Sequence, residues 1–198
     1  IDFELYDNHP IDSKKLAAIL RQHTTLGFNS SNYDLPVIVA ALRGDTNAQI
    51  KQLSDDIINA PQVWPVLKKH KIVIPSAFDH IDIIEIPIGQ ASLKIYGGRL
   101  HAPKLQDLPI EPNAIISPEE RATLRLYCHN DLEVTRLLYE ALKPQIELRE
   151  KMGAQYDLDL RSKSDAQIAE SVIKHELEAK DIDCSRKAVK AGTTYKYT

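Results

Sequence analysis

The sequence has few cysteines, no long apolar run and no excess of positive charge. Its two cysteines, Cys128 and Cys184, have neither metal-ligand spacing nor a disulfide pattern, so we expect reduced thiols in a cytoplasmic protein. No apolar run approaches the roughly 20 residues needed to cross a bilayer, and we expect no membrane partner. An excess of positive charge is also missing, because the formal net charge is −3. This balance argues against a stand-alone, tight nucleic-acid binder, but not against an enzyme that holds nucleic acid locally.

The pattern of apolar residues indicates an α/β domain. The 198 residues, 43% of them hydrophobic and 27% charged, fit one globular domain with an appendage. Runs rich in β-branched and aromatic residues predict strands at 1–6, 24–28 and 80–86. Capping residues and helical periodicity predict helices, which we place at 13–20, 35–42, 45–59, 61–70, 92–96, 118–142 and 164–179. We expect Gly97-Gly98 and Pro144 each to end a helix.

The stretch from Gly27 to Pro36 (GFNSSNYDLP) places an acid at a strand-to-helix junction. Four polar residues and Tyr33 follow the apolar run and precede Asp34, and a helix then opens at Leu35. Asp34 either caps that helix or presents its carboxylate to a ligand at the edge of the sheet. Asn29 is either an ordinary turn residue or part of the same site.

A second acid lies on the long helix that Ser117 and Glu120 start with a predicted capping box. One row of this helix carries residues at three- and four-residue spacing: Leu124, Tyr127, Asp131, Val134, Leu138 and Ala141. An ionised carboxylate on such a row is costly unless a cation or good donors compensate it. Asp131 is therefore either held by an arginine or a backbone amide, or it is a functional acid beside Tyr127, one helical turn away.

Two short motifs connect these stretches to a known family. Gly-Phe-Asn-x-x-x-Tyr-Asp-Leu-Pro at 27–36 resembles the second exonuclease motif of replicative DNA polymerases, and Tyr-x-x-x-Asp at 127–131 resembles the third. Between them, Asp82 on a predicted strand and Ser92-Leu93-Lys94 are similar to the family's linking segment, and we expect Asp82 to support nearby backbone. The resemblance, over roughly residues 1–143, is to the DEDD exonucleases, which implies an α/β domain with a ribonuclease-H-like fold.

The resemblance implies a 3′-5′ proofreading exonuclease domain of a phage-like DNA polymerase, acting on the 3′ end of single-stranded DNA. It implies two divalent ions, Mg²⁺ or Mn²⁺, held by four acids, of which Asp34 and Asp131 would supply two. Tyr127 would orient the attacking water, as in the family's tyrosine branch. Asn29 would contact the single-stranded 3′ end, and Tyr33 would either stack on a base or be a buried aromatic residue.

The family's first motif, Asp-x-Glu, would supply the other two metal ligands, and Asp2-Phe3-Glu4 spells it. Only about 30 residues separate this triplet from Asp34, too few for two further strands at about 3.3 Å per residue. We therefore expect 1–6 to be the third strand of the family's three-stranded meander, with the Asp-x-Glu motif upstream. On this hypothesis the chain is a fragment cut at both ends, lacks half of its metal ligands and is inactive alone.

The remaining residues, 144–198, include a predicted helix at 164–179 and are similar to the bridge that leads to the polymerase domain in phage-type polymerases. We expect that polymerase domain, in the same parent chain, to be a partner. Two alternatives stay open. One is a free-standing DEDD nuclease acting on DNA or RNA, and the other is a non-catalytic scaffold or nucleic-acid clamp of the same fold.

Overall fold

The computed structural model describes residues 1–6, 9–89 and 91–184, and the chain divides into two compact units, Ile1–Ala141 and Leu142–Thr198. The roles predicted for the two parts of the chain stay predictions. The part of the predicted bridge at 185–198 lies outside the described residues. The helices and strands are α1 (Ser13–Gln22), β1 (Thr25–Gly27), α2 (Asp34–Arg43), α3 (Asn47–Asn59), α4 (Val63–Lys69), β2 (His80–Asp82), α5 (Leu93–Arg99), α6 (Pro118–Tyr156) and α7 (Asp165–Glu178).

The two strands form a small parallel sheet. Thr25 pairs with His80 and Gly27 pairs with Asp82, so the carboxyl ends of both strands lie at the same edge. The described residues are therefore mixed α/β and mostly helical. The predicted strand at 80–86 is wrong beyond Asp82, because the backbone turns there: Ile86 donates its N–H to the carbonyl of Ile83.

The capping box predicted from Ser117 and Glu120 is confirmed, and two further helices begin with the same chemistry without having been predicted to. Reciprocal capping boxes begin α3 at Thr46, α6 at Ser117 and α7 at Ser164, each pairing with a Glu or Gln three residues later. Gly44 ends α2 with φ of 88°, a left-handed conformation that glycine adopts without strain.

The predicted strand at 1–6 is wrong for the described residues. Among the residues that the structure describes, the segment has no backbone pairing with β1 or β2. Its side chains instead contact side chains of α6. Asp2 binds His129, Glu4 binds Arg125, and the guanidinium of Arg121 lies 3.8 Å from the centre of the Tyr6 ring. Acidic and aromatic side chains thus replace backbone hydrogen bonds as the means of attachment.

Pro144 does not end the long helix, and the prediction that it would is wrong. Proline removes one N–H···O=C bond from a helix interior, at a cost of about 3 kcal/mol. Buried residues continue at four-residue spacing on both sides of it, at Leu138, Leu142 and Ile146. Their burial offsets the lost hydrogen bond, since each large apolar side chain contributes about 1.5–3 kcal/mol.

Hydrophobic side chains of the first unit form two clusters. The α2–α4 cluster consists of Ala40, Leu53, Ile57, Val66 and Ile72. The α1 cluster consists of Leu16, Leu20 and Phe78, and Phe3 packs against it. In the second unit, the buried guanidinium of Arg149 donates to the carbonyls of Gln145 and Lys163 and to Asp165.

The prediction that Gly97-Gly98 ends α5 is wrong. Gly97 lies inside the helix, where its missing side chain allows close packing against Leu105 and Val134. A Cβ at Gly97 would lie 2.9 Å from both Leu105 and Val134, so only glycine lets α5 approach α6 this closely. The helix continues to Arg99.

Replacing Gly97 by Ala is expected to destabilise the chain by about 1–3 kcal/mol, because the added methyl overpacks this contact. Gly98→Ala is the matched control, since its Cβ would meet only Leu105, at 3.7 Å. It should be neutral or stabilising by up to about 1 kcal/mol. Chemical denaturation of the two variants measures both values, and equal effects would contradict the packing role of Gly97.

Candidate functional site

The turn that follows β1 is organised by the carboxylate of Asp82. Its Oδ1 accepts the N–H of Asn29 at 2.8 Å and that of Ile84 at 3.2 Å, and its Oδ2 accepts the N–H of Ser31 at 2.8 Å. Asp82 is 4% exposed, so these donors replace water around a buried charge. The prediction that Asp82 supports nearby backbone is confirmed.

His80 fastens the same turn from its other side. Its ring nitrogens lie 2.8 Å from Thr25 Oγ1 and 2.7 Å from Ser30 Oγ. Burial lowers the pKa of His80, which favours a neutral ring that can donate at one nitrogen and accept at the other. Gly27 leaves room for this arrangement, because a Cβ there would lie 2.5 Å from the Cβ of Ser30.

Asp34 is the first residue of α2, and the capping interpretation of it is wrong. Tyr33 is the N-cap, with no side-chain hydrogen bond to the helix. The pKa of Asp34 is raised chiefly by burial, while its own backbone N–H opposes the shift and the charge of Asp82 adds to it. The side chain nevertheless keeps an exposed surface. Asp34 is thus exposed by surface area and yet surrounded by enough protein to lose part of its hydration.

Tyr127 and Asp131 form a pair on α6. Burial raises the pKa of Tyr127 to about 12, and hydrogen bonding to Asp131 adds to the shift. The phenol therefore stays protonated at neutral pH and can donate. The carboxylate of Asp131 is thus compensated by a hydroxyl on its own helix, and it is half-buried.

Helix α5 joins the two parts of the site. Phe28, in the turn after β1, makes an edge-on contact with Tyr96 of α5 at 6.0 Å between ring centres. The next residue, Gly97, packs against Val134, which is close to one helical turn beyond Asp131. The turn that leads to Asp34 and the helix that carries Asp131 therefore both contact α5, through the adjacent residues Tyr96 and Gly97.

The pKa of the Cys128 thiol responds to the charges of both acids. This pKa is raised by burial first and then by the negative charges of Asp131, Asp34 and Asp2. Like Asp34, Cys128 is exposed by surface area. Asp34 on α2 and Asp131 on α6, about a hundred residues apart in sequence, thus act on the same thiol.

The donor chemistry suits a hard divalent cation only in part. Carboxylate oxygens such as those of Asp34 and Asp131 are the ligands that Mg²⁺ prefers. Within the described ranges, however, no group of three or more His, Cys, Asp or Glu side chains could hold a metal ion. The carboxylates of Asp34 and Asp131 have the chemistry of Mg²⁺ ligands, and a complete site would need further ligands.

Asp2 and Glu4 are engaged in ion pairs. Asp2 lies 2.9 Å from His129 Nε2, and hydrogen bonding to this ring lowers the pKa of Asp2. Glu4 accepts from Arg125 Nε at 2.7 Å. These contacts give both acids a partner other than a metal ion.

The two residues predicted to contact nucleic acid have local partners. The side-chain oxygen of Asn29 accepts from Asn32 at 3.0 Å, and its φ of 56° makes it a left-handed turn residue. Tyr33 packs against the α2–α4 cluster, and its hydroxyl lies 2.7 Å from Ser54 Oγ. For Tyr33 these contacts favour a packed aromatic over a base-stacking surface.

Sequence reasoning missed several neighbours of the site. Arg121, Arg125 and His129 form a basic row at four-residue spacing on α6, and that spacing was the available signal. Lys94 donates to Asp107 at 2.5 Å, and the charge of Asp107 also raises the pKa of Tyr127. Nothing in the Pro-rich loop around Asp107 indicated this position.

Comparisons with protein-family models, curated proteins and solved structures find no match for this chain. The class of protein therefore rests on the motifs and on the geometry of the site. None of the helices in the described ranges has the length and apolarity required to span a membrane.

The raised pKa of Asp34 makes stability depend on pH. Because the folded protein holds this proton more tightly than the unfolded chain, whose carboxyl titrates near 3.8, the contribution is complete below that pH. It is lost as the pH rises through the folded pKa. Relative to Asp34→Asn, the wild-type chain should lose stability between acidic and neutral pH, by less than about 1 kcal/mol because the side chain is exposed.

Thermal unfolding of wild-type and Asp34→Asn chains across this range measures the difference. The exposed acid Glu85, replaced by Gln, is the control, and its difference from wild type should stay smaller. A wild-type-to-Asp34→Asn difference that does not change with pH would contradict the desolvation of Asp34.

Proposed function

We propose that the chain belongs to the 3′-5′ exonuclease domain of a DNA polymerase, with a ribonuclease-H-like fold, and hydrolyses the 3′-terminal phosphodiester of single-stranded DNA. The observation that supports the proposal is electrostatic: beyond burial, the negative charges of Asp131, Asp34 and Asp2 all raise the pKa of the Cys128 thiol, and Asp131 also adds to the raised pKa of Tyr127. Asp34, Tyr127 and Asp131 are the residues that the two exonuclease-like motifs single out, and they come from different elements of the fold.

In this proposal, Asp34 and Asp131 hold Mg²⁺ or Mn²⁺ through their carboxylate oxygens. When bound, the ions lower the pKa of the attacking water and stabilise the leaving 3′ oxygen. Tyr127 keeps its proton, because its pKa is about 12, and its hydroxyl orients that water. The exposed side of Asp34 leaves access for the terminal phosphate.

The remaining ligands come from outside this set of acids. Asp2 and Glu4 pair with His129 and Arg125, and the proposal assigns the remaining ligands to an Asp-x-Glu motif on another segment of the full-length protein. We therefore expect the chain of 198 residues to be inactive by itself and the full-length protein to be active.

The test uses the full-length protein and a 5′-labelled single-stranded oligonucleotide. Wild type should shorten it from the 3′ end in the presence of Mg²⁺, giving a ladder of products. Tyr127→Phe should slow hydrolysis by about 100-fold, because the water loses its orienting hydroxyl. Tyr139→Phe, on the same helix, is the matched control and should keep full activity. An intact oligonucleotide with wild-type protein would overturn the proposal, and full activity of Tyr127→Phe would overturn the role of the hydroxyl.

A non-catalytic nucleic-acid scaffold is the second candidate. It applies if Asp2 and Glu4 are the family's first motif and keep their contacts with Arg125 in place of metal ions. In that case the full-length protein would bind single-stranded DNA without Mg²⁺-dependent hydrolysis.

A further inference from the structure

The chain's only tryptophan lies on the surface. Trp64, on α4, is 69% exposed and is not part of the α2–α4 cluster, to which its helix contributes Val66. Lys68, one turn later, places its ammonium 5.4 Å from the centre of the indole ring. This cation holds the ring without covering most of it, so a large aromatic face remains open to solvent.

The segment that carries Trp64 is strongly basic. Residues 61–78 contain three lysines and no acidic residue, in a chain whose net charge is −3. Lys69 and His70 both bind Asp56, at 2.6 Å. Lys68 and Lys71 are exposed, and neither has an acidic partner in the part of the chain that the structure describes. Their charges are therefore available to an anionic partner.

The position of Lys71 is fixed by the backbone. Arg43 donates through Nη1 to the carbonyls of His70 and Lys71, at 3.1 and 3.0 Å, and Lys71 has a left-handed φ of 53°. Arg43 is the last residue of α2 and Asp34 is the first. The backbone at His70 and Lys71 therefore lies at the end of α2 opposite Asp34, and the helix between them is about 15 Å long.

We propose that Trp64, Lys68 and Lys71 form a second binding site, which takes single-stranded nucleic acid. An open indole suits the face of a base, and the ammonium groups of Lys68 and Lys71 suit neighbouring phosphates. This combination of stacking surface and cations favours a nucleic acid over an acidic peptide, whose carboxylates would use the lysines but leave the indole without a partner. The site is separate from Asp34 and Asp131 and does not depend on hydrolysis.

Trp64 is its own reporter, because no other tryptophan contributes to the fluorescence of the chain. The full chain is titrated with oligothymidylate of about ten nucleotides, in EDTA and at low salt. Binding should quench the fluorescence, and two phosphate contacts should give a salt slope of about −1.4 in log K against log salt. Lys71→Gln should weaken binding and reduce the slope by about 0.7. Lys14→Gln, which removes an exposed lysine from α1, should change neither.

A second measurement removes the indole. With a labelled oligothymidylate and anisotropy detection, Trp64→Ala should bind about 10-fold more weakly. Because the side chain is exposed, the variant should melt at the wild-type temperature. Absence of quenching at low salt, equal weakening by Lys14→Gln, or equal quenching by polyglutamate would overturn the proposal. Since EDTA prevents metal-dependent cleavage, this outcome is independent of the result of the nuclease assay.

Discussion

Replacing Asp82 by Asn is expected to destabilise the chain by about 3 kcal/mol or more, because hydrogen bonds to a charged acceptor each contribute about 1.5–3 kcal/mol. The carboxylate accepts the N–H groups of Asn29, Ser31 and Ile84 and is buried. An amide keeps one oxygen and turns an NH₂ group toward a backbone donor. The turn between β1 and α2 then loses its main support, and Asp34 loses its position with it.

Chemical denaturation measures this loss. Glu85→Gln is the matched control, because it makes the same chemical change three residues later on an exposed side chain, and it should shift stability by less than about 0.5 kcal/mol. If the two variants were equally stable, Asp82 would not organise the turn.

If the proposed function is right, replacing Asp131 by Asn is expected to reduce exonuclease activity of the full-length protein by more than about 100-fold, because the proposal makes Asp131 a direct metal ligand. Polymerisation should be spared. The helix itself should not suffer, since Thr135 donates to the backbone carbonyl of Asp131 and not to its carboxylate.

Rates on a single-stranded 3′ end and on a primed template, taken with the same preparations, separate the two activities. Glu133→Gln lies two residues away, where Glu133 pairs with Arg136 on the exposed side, and it should leave both rates unchanged. Retained exonuclease activity in Asp131→Asn would remove Asp131 from the proposed site.

The helices could largely be predicted because their starts are chemical and local. Ser117 with Glu120, and Ser164 with Gln167, satisfy the first N–H groups of α6 and α7 within four residues of sequence. Helix ends were less predictable where packing decides them. Gly97 looks like a helix stop in sequence, but its missing side chain serves the contact with Val134, far along the chain.

The segment 1–6 shows why strands were harder to predict. Its apolar and acidic residues suit a strand or any extended segment, and the choice depends on the partner. Here the partners are the side chains of Arg125 and His129 on α6. No local pattern in the segment specifies these partners.

The candidate site could be predicted in part. The motifs singled out Asp34, Tyr127 and Asp131, and the structure places Asp34 and Asp131 near the same thiol. Their arrangement depends on Phe28 and Gly97, which link β1, α5 and α6. Such contacts between distant segments come from packing, which the spacing of residues in one sequence does not reveal.

The segment 1–6 is attached to α6 by side-chain contacts that repeat at a regular spacing. Contacts recur every two residues on the segment and every four on the helix, about 6.6 Å and about 6 Å respectively, so the two periods stay in step. In the observed register Asp2 also lies 4.0 Å from Arg125 Nε, so one cation already serves acids at two successive positions of the segment. Charge pairing alone therefore does not fix the register between the segment and the helix. Phe3 packs against the α1 cluster, and this contact selects one register.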